Sequence, residues 1–156
     1  MVPRRATLVR PHGELLAQRL VDLLERTGME RPAIDVVPRE TSDDGVVTAL
    51  RERGCELLVI PFRQPGALVG RGNGVDLLQR LERELPETAR LPVLLPSTVF
   101  AAGQVRLMLG DSNPDESLSS RTRHRILTLL EDELADAKSA ELLRMHLELF
   151  SLVPKG

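Results

Sequence analysis

Tryptophan and tyrosine are absent from the 156 residues, and phenylalanine occurs three times. Few flat side chains remain for stacking bases or gripping a planar cofactor, so neither nucleic acid nor such a cofactor is expected. The single cysteine, Cys55, excludes an internal disulfide. Its place at the head of an apolar run predicts structural burial rather than reactivity. No apolar run approaches the roughly 20 residues that cross a bilayer, so membrane insertion is not expected. The N-terminal MVPRRATLV has no signal-peptide core, and the expected location is the cytoplasm. Excess charge of one sign is missing too. With 21 basic and 23 acidic residues the net charge is -2, which gives no global attraction to nucleic acid or an acidic membrane surface.

What is present is the composition of a soluble globular chain, long enough for one domain with a proper core and an appendage. Its organising stretch is CELLVIPFRQPG, Cys55 to Gly66. Leu57 to Ile60 is too short for a helix and is bounded by Gly54 and Pro61, which predicts a strand buried on both faces of a parallel sheet. Other elements alternate around it. Ala6–Arg10 predicts a first strand, and Gly13–Gly28 a helix with Leu15, Leu16, Leu20, Leu23 and Leu24 on one face. Ala33–Val37 predicts a second strand. Ser42 or Asp43 caps a helix that ends at Gly54. A third helix is expected over Val75 to about Leu85, a fourth strand over Val93–Leu95, and a fifth over Val105–Leu109. Strand alternating with helix predicts a doubly wound parallel sheet.

After Gly110 the pattern changes. Asn113-Pro114-Asp115-Glu116 is a helix start, and no Pro or Gly follows until Pro154. The expected division is therefore an α/β body, residues 1–110, and a helical segment, 111–156, forming one long helix or a hairpin. Leu127, Leu130, Leu134 and Ala137 step by three and four residues, as do Ala140, Leu143, Leu147 and Phe150. That is a coiled-coil-like seam, and it predicts a homodimer through the C-terminal helices. Leu142, Met145, Leu149 and Leu152 add a second apolar face.

Chemical motifs are sparse. The loop Gly66–Gly74 is glycine-rich but fits neither a Walker loop nor a dinucleotide fingerprint, and it reads as a flexible insertion with Arg71 as a possible anion contact. The three histidines have no metal-ligand spacing, no metal or other cofactor is expected, and Ser97 lacks a partner to make it a nucleophile. Arg121, Arg123 and Arg125, followed by Glu131, Asp132 and Glu133, read as a solvated helix face.

Three landmarks resemble the receiver domain of bacterial response regulators. CELLVIPFRQPG is similar to the third strand and following loop of that family, LPVLLPS to its fourth strand, and ATLVRPHGELL stands where the acidic pair follows the first strand. The resemblance covers about Ala6 to Leu109 and implies a flavodoxin-like, doubly wound, five-stranded parallel sheet. Carried over by position, the phosphoacceptor Asp falls on Pro61, and the acidic pair that holds Mg²⁺ falls on Arg10 and Pro11. The switch hydroxyl is retained as Ser97. The lysine after the fifth strand has no counterpart in Gly110–Pro114. Phosphoryl transfer needs the carboxylate and the cation, so the resemblance implies a pseudo-receiver, a non-enzymatic docking module with a protein partner. The competing expectation is a small-molecule or nucleotide-binding domain that uses Gly66–Gly74.

Overall fold

The computed structural model describes residues 5–62, 75–109 and 118–151. Within them, five parallel strands form one sheet: β1 (Ala6–Val9), β2 (Ile34–Val37), β3 (Leu57–Val59), β4 (Val93–Ser97) and β5 (Ile126–Leu130). Their order is β2-β1-β3-β4-β5, the doubly wound arrangement expected. Thr7 of β1 stands level with Asp35 of β2 and Leu58 of β3, and Ser97 of β4 with Leu130 of β5.

The local chemistry explains the helices. In α1 (Glu14–Arg26), Leu16, Leu20, Leu23 and Leu24 fall on one buried face, and Gly28, at φ 103, supplies the left-handed turn that stops it. In α2 (Asp43–Arg53), the Ser42 hydroxyl accepts the Gly45 N–H at 3.1 Å. Asp43 and Asp44 lie at the positive end of the helix dipole, and Gly54, at φ 68, closes the other end. The remaining helices are α3 (Val75–Glu84), α4 (Ala102–Leu109), α5 (Ser120–His124) and α6 (Ala137–Ser151).

Two apolar layers sandwich the sheet. α1 and α6 cover one face, burying Leu20, Leu23, Leu143 and Leu147 against Leu8, Val59 and Leu94. α2, α3 and α4 cover the other, with Val46, Leu50, Leu77, Leu81 and Val105 against Val9, Leu58 and Leu95. β1, β3 and β4 are buried throughout, which is why they read as unbroken apolar runs.

Three expectations are corrected. Val105–Leu109 is not a strand but most of α4. Thr98 Oγ1 accepts the Ala101 N–H at 3.2 Å, and Ala101, Val105 and Leu109 then recur every four residues toward the core. The fifth strand is Ile126–Leu130 instead, so the sheet extends past residue 110 and the helical segment 111–156 is not an appendage. Leu127 and Leu129 turn to the α1/α6 layer and Ile126 to the other, which is strand periodicity.

The coiled-coil seam is likewise core. Leu134 and Leu143 are fully buried, Leu147 is nearly so, and Leu127 packs against the same layer. Leu130 and Phe150 are half-buried. A step of three or four leucines is also what a helix needs to cover its own sheet, and α6 uses it that way. Apolar side chains left outside on α6 are Leu142, Met145 and Leu149.

Candidate functional site

In a doubly wound sheet the carboxyl ends of the strands gather whatever chemistry the loops supply. Arg10 follows β1 there with φ 49, a left-handed conformation rare outside glycine. Its N–H donates to Val37 O at 2.9 Å, while its guanidinium reaches Thr41 O at 3.2 Å and Asp43 Oδ1 at 2.8 Å. The side chain is 14% exposed, so the ion pair is partly shielded from water and ties the β1–α1 turn to the start of α2. Pro11 and Pro61 are buried beside it, at the ends of β1 and β3.

The edge does not fit the divalent cation that receiver chemistry uses. A metal there needs carboxylate oxygens, but Arg10 and Pro11 stand in their place, and Asp43 is already held by Arg10. Among the described residues no group of three His, Cys, Asp or Glu gathers that could hold a metal ion.

A second contact crosses the edge. His12 Nε2 lies 3.3 Å from Glu131 Oε1, joining the β1–α1 turn to the residue after β5. His12 Nδ1 and Glu131 Oε2 are buried without hydrogen-bond partners. The sequence carries no signal for this pairing, because Glu131 reads there as part of a solvated helix face rather than as the residue after a fifth strand. The five-residue ILTLL run before Glu131, with its β-branched Ile126 and Thr128, was the available signal for the strand.

Ser97, at the end of β4, is 2% exposed. It opens onto a cavity of about 270 Å³ between β4, β5 and α4, lined by Val105, Arg106, Thr128 and Leu129 among others. The structure thus brings Arg10, Pro11, Pro61 and Ser97 to one edge. Arg71 and the Gly66–Gly74 loop lie outside the described residues, as does Gly110–Pro114.

Elsewhere the titratable groups serve the core. Burial, offset by a hydrogen bond with Thr7, pushes the Cys55 thiol up to about 11, so it stays protonated and inert. Arg125, expected on a solvated face, is 4% exposed and donates to the carbonyls of Thr88, Leu91 and Arg121. Its burial lowers its pKa, as does neighbouring Arg121. His146 Nε2 donates to Arg125 O at 2.8 Å and its ring centroid lies 4.8 Å from that of Phe150. Burial lowers the imidazole below its ordinary value. No helix among the described residues is long and apolar enough to cross a membrane.

No family model matches the chain, and no curated protein matches it. Solved structures do. A sensor protein from Polaromonas sp. JS666 is similar over 95% of this chain and 96% of its own, with a TM-score of 0.59 and 20% identity. The receiver domain of the Erythrobacter litoralis response regulator PhyR is similar over 98% and 93%, at 0.55 and 12%. The signal receiver domain of a signal transduction histidine kinase from Syntrophus aciditrophicus is similar over 97% and 94%, at 0.54 and 18%. The chain has a receiver-like fold: a flavodoxin-like, five-stranded parallel sheet closed by a C-terminal helix.

Proposed function

We propose that this chain is a pseudo-receiver, a phosphorylation-independent protein–protein interaction module in bacterial signalling or scaffolding. The observation that carries the reading is the pairing of Arg10 with Asp43 at 2.8 Å, beside Pro11 and Pro61, at the edge where a receiver needs a carboxylate nucleophile and a metal. A guanidinium supplies positive charge without a coordination site, and proline supplies no nucleophile. Phosphoryl transfer to a carboxylate has neither of its requirements here, so the chain is not an enzyme of that kind. The similar structures named as sensor, response regulator and histidine kinase receiver support a place in signalling.

The reading includes a homodimer through the last helix, on the face that the core leaves open. Leu142, Met145 and Leu149 are 37%, 55% and 69% exposed and recur at three and four residues, an apolar stripe that a second copy of α6 covers. Light scattering on the full chain, with and without acetyl phosphate and Mg²⁺, tests both parts. A dimer under both conditions, dissociated by Leu149→Asp, supports them. A monomer at tens of micromolar, about where weak interfaces show, removes the dimer, and a dimer that forms only with the phosphodonor removes phosphorylation independence.

A further inference from the structure

The two edges of the sheet are finished differently. β2 closes one side with four residues, bracketed by Pro32 and Pro38 and carrying Asp35 in the strand itself. Short length, proline and a charge in the strand all discourage an open edge from pairing with another chain. β5 closes the other side, and its five residues, ILTLL, include no charge, proline or glycine. Among the described residues no strand lies beyond it. Ile126, Leu127 and Leu130 are only half-buried and Thr128 is exposed, whereas β1, β3 and β4 are buried throughout. The Val93 N–H donates to Arg125 O at 2.9 Å, so Arg125, Leu127 and Leu129 turn their backbone groups to β4. Ile126, Thr128 and Leu130 turn theirs outward. Charge of opposite sign brackets the strand: Arg121, Arg123 and His124 precede it, and Glu131, Asp132 and Glu133 follow it. Of these, Arg121, His124, Asp132 and Glu133 are exposed.

We propose that a second copy of this chain pairs with β5 at this edge, antiparallel and centred on Thr128, so that two five-stranded sheets join into one. Antiparallel pairing sets Ile126 of each copy opposite Leu130 of the other, and Thr128 opposite itself. The outward groups then exchange about six backbone hydrogen bonds. The same register brings His124 and Arg123 of each copy toward Asp132 and Glu133 of the other, since each pair lies equally far from Thr128 along the chain. A parallel pair would instead set like charge beside like. A two-fold axis through Thr128 closes the contact at two copies and prevents growth into a fibre. The inference rests on the homodimer through α6 and adds the strand pairing that fixes how the copies meet. On α6, His146 contacts Arg125 O at the head of β5, while Arg144 donates to Arg26 O of α1. Leu142 and Leu149, four residues before His146 and three after it, share its side of the helix. The apolar stripe therefore lies toward β5, where joined sheets bring two copies of α6 together.

Light scattering and amide hydrogen exchange on the full chain test the pairing. In the wild-type dimer the amides of Ile126, Thr128 and Leu130 should exchange about tenfold or more slowly than in the Leu149→Asp monomer, where they face water. Dilution of the wild type to monomer supplies the same reference if Leu149→Asp does not fold. Two charge variants test the orientation, one with Arg121→Glu and His124→Glu, the other with Asp132→Lys and Glu133→Lys. Each alone sets like charge against like and should weaken self-association about tenfold or more, while an equimolar mixture of the two should dimerise as the wild type does. A dimer that Leu149→Asp dissociates, but whose β5 amides exchange as fast as in the monomer, overturns the strand pairing and leaves the α6 contact standing. Charge variants that self-associate like the wild type do the same. A wild type that is monomeric at tens of micromolar, about where weak interfaces show, removes both.

Discussion

The body of the sheet and its carboxyl edge answer to different demands. In the body, Leu8, Leu58, Val59, Leu94 and Leu95 are buried between two helical layers, and any apolar side chain of similar volume keeps the arrangement. At the edge, Arg10 binds Asp43 and His12 meets Glu131, contacts that depend on individual letters. The body therefore holds a receiver-like fold at 20% identity or less to the similar structures, while the edge is set by Arg10, Pro11, Pro61 and Ser97. Fold is conserved by pattern and chemistry by residue, and one survives without the other.

The largest effect that sharpens this contrast lies in the body. Leu143 is fully buried against the sheet. Leu143→Ala should lower the unfolding free energy by about 2–5 kcal/mol, measured by denaturant melts. At Leu15 of α1, 65% exposed and outside the α6 stripe, the alanine variant should change stability within about 0.5 kcal/mol. Equal effects at the two positions would mean that α6 does not pack as described, and that the leucine seam serves a second chain after all.

A smaller effect concerns pH. His146 is held neutral by burial, with its pKa below the ordinary 6.5, so the unfolded chain takes up a proton that the folded chain refuses. Stability should therefore fall as pH drops through about 6.5 toward the lowered value, because the unfolded state binds more protons in that window. His146→Gln, which keeps a donor for Arg125 O, should flatten that part of the profile. An unchanged slope would contradict the buried neutral imidazole.

These two regions were unequally legible in the sequence. The first four strands and the first three helices were readable because runs such as LLVI and stops such as Gly28 and Gly54 are local signals. β5 was not, since ILTLL faces apolar layers on both sides and shows no clean alternation, while Leu127, Leu130 and Leu134 happen to fall at helical spacing. The same misreading turned Val105–Leu109 into a strand. At the edge, Arg10, Pro11, Pro61 and Ser97 could be placed from strand ends alone. Contacts across the sheet could not: His12 meets Glu131 only because β5 is where it is.

The central claim, that this receiver-like edge takes no phosphoryl group, is tested most directly by intact-mass spectrometry of the full chain after incubation with acetyl phosphate and Mg²⁺. Arg10, Pro11 and Pro61 predict an unchanged mass. An acid-labile phosphoryl adduct on any carboxylate, Asp43 and Glu131 included, would contradict it.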